Sequence, residues 1–104
     1  IQKINLPDHF NLKLLERFLR YTKINTQSSE DENDTTALHR QTAFLGMISD
    51  ELRKIGCVDV KELDCGYVFA TVPGSKKLSK RAPTVGFLAH ADTYPGTSGA
   101  HVVP

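Results

Sequence analysis

The spacing of apolar residues changes once along this chain, near Gly56, and this change limits the folds that the chain can adopt. Before Gly56, apolar residues recur at intervals of three and four, a period typical of amphipathic helices. The spacing predicts one helix over residues 9–23, capped by Asp8, and a second over residues 37–55, ended by Gly56. After Gly56, short β-branched and aromatic runs on either side of residues 64–66 predict a β-hairpin. Two helices followed by strands indicate a mixed α/β fold.

Two polar stretches lie between or beyond these elements. The run from Ser28 to Thr36 contains no apolar residue, and a segment that buries nothing cannot offset the entropy of ordering it. A mobile loop is predicted there. Residues 75–81 contain three lysines and one arginine, and we expect a solvated connection without a binding function.

The composition is that of one small globular domain. Of the 104 residues, 39% are hydrophobic and 24% charged, which is enough to form a core. A net charge of +1 provides no field to attract phosphate groups, so we expect no nucleic-acid partner.

No apolar run reaches the roughly 18 residues that span a bilayer, and residues 1–4 do not begin a secretory segment. We expect no membrane partner and a cytoplasmic location. Cys57 and Cys65 match no redox or zinc spacing and are predicted to be free thiols.

One histidine and one carboxylate follow an apolar run near the end of the chain. Residues 84–89 are continuously apolar, which predicts a strand buried on both faces. His90 and Asp92 come next, and residues i and i+2 of an extended chain point to the same side, roughly 6 to 7 Å apart. Ligand sites in open α/β sheets lie beyond the carboxyl ends of the strands. Both residues are therefore candidates for a functional site.

The residues alone leave two interpretations of this pair open. In the first, His90 is a zinc ligand and Asp92 accepts a hydrogen bond from the second ring nitrogen, which fixes the tautomer. In the second, Asp92 accepts backbone hydrogen bonds in a turn and His90 is half exposed. The spacing H-x-D is too short a pattern to decide between them.

A longer pattern surrounds the pair. The stretch from Val85 to Thr93, followed by Pro95, Ser98-Gly99, Val102 and Pro104, resembles the first metal-ligand segment of the peptidase T family of zinc exopeptidases. Further similarity in the same order covers the opening helix and its loop, the end of the second helix and the next strand, at residues 14–21, 26–28, 51–60 and 66–73.

This resemblance implies an enzyme with two zinc ions that releases the N-terminal residue from tripeptides. It makes His90 a metal ligand, and it gives Asp92 a catalytic role as the residue that holds the imidazole. In the family, the other ligands and the general base come later than Pro104. Residues 1–104 are therefore expected to be an incomplete, N-terminal portion of a three-layer α/β catalytic domain. Alone, this portion is expected neither to hold zinc tightly nor to hydrolyse a short peptide substrate.

Other functions stay open at this point. Related zinc enzymes that share the first-ligand segment act as dipeptidases, carboxypeptidases or deacylases. A function of another class is a small non-catalytic α/β binding module, in which His90 and Asp92 only cap a strand. Two helices and three strands are too few to cover both faces of a sheet, so we expect an exposed sheet edge through which the chain self-associates.

Overall fold

The structure is a computed structural model that describes residues 7–75 and 82–104. The elements run in the order α1 (Asp8–Thr22), α2 (Thr35–Lys54), β1 (Val58–Leu63) and β2 (Tyr67–Thr71). This confirms the predicted mixed α/β class. Residues 76–81 of the lysine-rich segment and residues 1–4 lie outside the described residues, so the predictions made for them stay predictions.

Helix α1 has almost the predicted bounds but begins differently. Asp8 is its first helical residue rather than its cap, because Pro7 takes the N-cap position and no side chain caps the helix. The carbonyl of Pro7 accepts hydrogen bonds from the amides of Phe10 and Asn11, at 2.9 and 3.3 Å. Asp8 still places a negative charge in the first turn, where it interacts favourably with the positive end of the helix dipole. No residue of α1 is buried, and Phe18 is 59% exposed.

Helix α2 carries the buried core of the described residues. Its N-cap is Asp34, whose carboxylate accepts hydrogen bonds from the amides of Thr36 and Ala37, at 3.0 and 3.1 Å. The Thr36 hydroxyl and then the Ala37 amide lower the pKa of Asp34 to about 2. The helix therefore starts two residues before the predicted bound. The buried apolar residues are Ala37, Phe44 and Leu45, all on this helix.

The hairpin forms where the sequence predicts it. Strands β1 and β2 pair antiparallel, with Leu63 opposite Tyr67 and Lys61 opposite Phe69, and a bulge interrupts the register between Val58 and Lys61. Gly56 after α2 and Gly66 in the hairpin turn have φ values of +96° and +85°, a backbone region that favours glycine. The predicted turn signals are therefore confirmed at both positions.

The predicted third strand is wrong for the described residues. Residues 84–89 form no strand and make no backbone hydrogen bond with any described residue. Phe87 and Leu88 are 96% and 94% exposed, so the segment is not buried either. A strand exists only when a neighbour satisfies its backbone groups, and the described sheet contains β1 and β2 alone. Pairing of an exposed edge with a second chain stays a prediction.

Candidate functional site

Two loops distant in sequence are joined at the predicted site. The loop after α1 and the turn that begins at Asp92 meet in a parallel bridge between Gln27 and Thr93. The amide of Ser28 donates to the carbonyl of Thr93 at 2.9 Å, and the amide of Thr93 donates to the carbonyl of Thr26 at 3.1 Å. Thr26 is only 4% exposed. This bridge places Ser28 beside Asp92.

The structure brings the two predicted site residues together. The Nδ1 atom of His90 lies 2.9 Å from Oδ1 of Asp92. An ionised carboxylate can only accept, so in the neutral imidazole Nδ1 carries the proton and Nε2 keeps its lone pair. The His90 side chain is 85% exposed, which leaves Nε2 accessible. This is the orientation that a metal-ligating histidine requires.

The second oxygen of Asp92 has a partner that the sequence analysis did not assign. The Ser28 hydroxyl donates to Oδ2 of Asp92, so the carboxylate is held on both sides. The Ser28 hydrogen bond and then the His90 contact lower the pKa of Asp92. Asp92 is therefore kept in its ionised form, which is the form that accepts both hydrogen bonds.

Gln27 fixes the loop that follows the candidate pair. Its Nε2 donates to the carbonyl of Pro95 at 2.7 Å, and its Oε1 accepts from the amide of Gly99 at 3.3 Å. Gly99 packs so closely that a Cβ at this position would lie 2.8 Å from Oδ1 of Asn25 and 3.2 Å from Oγ1 of Thr93. The two loops therefore form one connected unit around Asp92.

A polar cavity of about 440 Å³ opens beside Ser28. Its lining combines carboxylates with one guanidinium, that of Arg40, and comprises Gln27, Ser28, Ser29, Glu30, Asp31, Asp34, Arg40, Pro95 and Gly96. Arg40 donates to the carbonyl of Gln27 at 3.4 Å, which ties α2 to the loop that carries Ser28. The first part of the predicted mobile loop thus has defined contacts with the site.

The described residues do not form a complete metal site. Across residues 7–75 and 82–104, no group of three or more His, Cys, Asp or Glu side chains is arranged to hold a metal ion. Catalytic zinc sites need about three protein ligands, so His90 fits as one ligand and Asp92 as the group that orients it. The remaining described histidines, His9, His39 and His101, are exposed.

Two further predictions concern the cysteines and membrane-spanning helices. Cys57 and Cys65 are free, as predicted. In the described part of the chain, no helix combines the length and the apolar character needed to cross a bilayer.

Comparison with known proteins finds similar sequences named peptidase T. No protein-family model matches the chain. Peptidase T of Clostridium botulinum (strain Hall) is 42% identical over 91 residues, which is 88% of this chain. Peptidase T of Geobacillus kaustophilus is 44% identical and that of Bacillus licheniformis 42% identical, each over 92 residues and 88% of this chain. The chain spans only 22% of the length of these relatives. Over 88% of its own length, this chain is similar to these peptidase T proteins.

Proposed function

We propose that this chain is the N-terminal portion of the catalytic domain of a cytoplasmic, zinc-dependent aminopeptidase that releases the N-terminal residue from tripeptides. The observation that carries the proposal is the 2.9 Å contact between Nδ1 of His90 and Oδ1 of Asp92. This contact occupies Nδ1 and leaves Nε2 of the exposed imidazole free to bind a metal. The name shared by the relatives supports a peptidase.

The two residues have separate roles in this proposal. His90 provides one zinc-ligating nitrogen, and Asp92 holds the imidazole in the tautomer that leaves this nitrogen free. When bound, zinc supplies an activated water and polarises the scissile carbonyl. Residues outside this chain provide the other metal ligands, including those of the second zinc, and the general base. The 104 residues alone are therefore expected to bind zinc weakly and to hydrolyse no peptide.

The test is tripeptide hydrolysis by the complete gene product, with and without a zinc chelator. We expect release of the N-terminal residue, loss of this activity on chelation and recovery on adding zinc. The variant His90→Ala should be inactive, because the first ligand is gone. His39→Ala is the matched control, since His39 is an exposed histidine on α2, and it should retain full activity. Activity that survives both chelation and His90→Ala would overturn the proposal.

The choice of substrate separates this proposal from related chemistry. An aminopeptidase needs a free N-terminal amine, so a tripeptide acetylated at this amine should not be cleaved, whereas a tripeptide amidated at its C-terminus keeps the reacting end. Preferred cleavage of dipeptides would indicate a dipeptidase. Release of the C-terminal residue would indicate a carboxypeptidase, and cleavage only of the acetyl group a deacylase. A folded product that cleaves none of these substrates would favour the non-catalytic binding module.

A further inference from the structure

The carboxylate of Asp92 has two hydrogen-bond partners that come from different parts of the chain. One oxygen contacts His90, two positions earlier, and the other accepts from the hydroxyl of Ser28, which is 64 positions away. The three side chains form a continuous chain of hydrogen bonds that ends at the imidazole. Only the proximity of His90 to Asp92 follows from the spacing of the sequence.

Ser28 is held in place by its own amide and by the residue before it. Its own amide is bonded to the carbonyl of Thr93, and the preceding Gln27 side chain is bonded to Pro95 and Gly99. These bonds fix the backbone of Ser28 at the junction of the two loops, beside Asp92. Among the described residues, the Ser28 hydroxyl donates its hydrogen bond to Asp92.

The Asp92 carboxylate, in contrast, needs an external constraint. The torsion that turns a carboxylate is broad, and the Asp92 side chain is 40% exposed. The His90 side chain is 85% exposed, and among the described residues it forms a hydrogen bond only with Asp92. The ring is thus oriented by Asp92, and Asp92 is oriented by Ser28. Hydrogen bonds to an ionised group are strong enough to select one orientation.

We propose that Ser28 is a positioning residue for His90: its hydroxyl fixes the Asp92 carboxylate so that the imidazole presents Nε2 to a metal. This inference rests on the proposed function for the metal, but the orientation of the ring is a property of this chain. Ser28 itself does not touch the metal or the substrate.

The direct test is ¹⁵N NMR of the His90 ring in the complete gene product, freed of metal, at about pH 9, where imidazole is neutral. The signals are assigned by their absence in His90→Ala. We expect the tautomer with the proton on Nδ1 to dominate. In Ser28→Ala, the ratio of this tautomer to the other should fall about threefold, as for the loss of one hydrogen bond. Ser28→Thr keeps the hydroxyl and should restore the ratio.

Ser29→Ala is the matched control, because its hydroxyl lies in the same loop but accepts a hydrogen bond from the Asp31 amide. It should leave the tautomer ratio unchanged. An unchanged ratio in Ser28→Ala would overturn the inference. An equal fall in Ser29→Ala, or no recovery in Ser28→Thr, would also overturn it, because the loop rather than the hydroxyl would then be responsible.

Zinc affinity of the complete gene product gives a second measurement, by competition with a chelator. Loss of a residue that orients a ligand typically weakens metal binding by 10-fold or more, so we expect about a 10-fold weaker affinity in Ser28→Ala and no change in Ser29→Ala. Equal affinities in the two variants would refute the role toward the metal. If the NMR result holds but tripeptides are not cleaved, the proposed function fails while the positioning of His90 stands.

Discussion

One carboxylate joins the two helices, beside the edge contact of the Tyr21 and Phe44 rings, and its removal tests how α1 is held against α2. Glu51 on α2 accepts hydrogen bonds from Arg17 at 3.0 Å, from Tyr21 at 2.6 Å and from Arg20, all on α1. Its side chain is only 15% exposed. Because α1 buries no residue, we expect Glu51→Gln to weaken its attachment to α2.

The magnitude follows from the pKa of Glu51. Hydrogen bonding, mainly from Arg20, lowers this pKa from 4.5 to about 2. At 1.36 kcal/mol per pKa unit, the lowering corresponds to about 3 kcal/mol of stability at neutral pH. The Arg17 and Arg20 side chains are 37% and 41% exposed, so solvent screening reduces the interaction. We therefore expect Glu51→Gln to lower the free energy of unfolding by about 1 to 2 kcal/mol.

The assay is urea unfolding followed by circular dichroism at several pH values. A carboxyl whose pKa is lower in the folded state stabilises the fold above its unfolded-state pKa, and this stabilisation is lost as pH falls through the folded-state pKa. The difference between parent and Glu51→Gln should thus be complete above about pH 5 and shrink toward pH 2.

The control for this variant is Asp50→Asn, because Asp50 is a neighbouring carboxylate whose side chain is 69% exposed and pairs with Arg53 at 3.2 Å. A surface pair of this kind contributes little, so Asp50→Asn should change the free energy of unfolding by less than about 0.5 kcal/mol. Equal losses in the two variants would refute the reasoning. So would a loss in Glu51→Gln that is the same at pH 2 as at pH 7.

Three further outcomes are expected. Asp34→Ala should lower the thermal midpoint because the first amides of α2 lose their acceptor, whereas Asp34→Asn, which keeps an oxygen, should melt close to the parent. Gly66→Ala should lower the free energy of unfolding in urea by about 1 kcal/mol, because φ of Gly66 is positive. Gly86→Ala should have little effect on this free energy, because no atom lies within 4 Å of the new Cβ. Burial and then the Glu51 hydrogen bond raise the pKa of Tyr21 to about 12. An absorbance titration, with Tyr21→Phe as the reference, should therefore show ionisation of Tyr21 near pH 12. In Glu51→Gln, Tyr21 should ionise at a lower pH. Titration of Tyr21 unaffected by Glu51→Gln would contradict the assigned contact.

The local elements of this chain could be predicted because their signals are local. The helices have the period of amphipathic helices, and Gly56 and Gly66 have the positive φ that their turns require. The hairpin follows from β-branched and aromatic runs on either side of residues 64–66. Asp34 is a favoured type of cap residue, but the polar run around it predicts only a loop, so the cap of α2 is known from the structure alone.

The candidate site divides in the same way. His90 and Asp92 are two positions apart, so the sequence predicts that they lie close together, but only the structure shows that they are in contact. Ser28 and Gln27 reach the same site from more than 60 positions away, through the bridge between Gln27 and Thr93. Nothing in their local sequence marks them, apart from their place in the segment that resembles the peptidase T family.

The sequence by itself determined the helices, the hairpin and the proximity of His90 to Asp92, because each depends on residues a few positions apart. Only the tertiary structure decided that residues 84–89 find no strand partner among the described residues and that Ser28 meets Asp92. The physical reason is common to both: an apolar run becomes a strand, and a serine becomes a hydrogen-bond donor to a site, only when a distant segment of chain lies beside it.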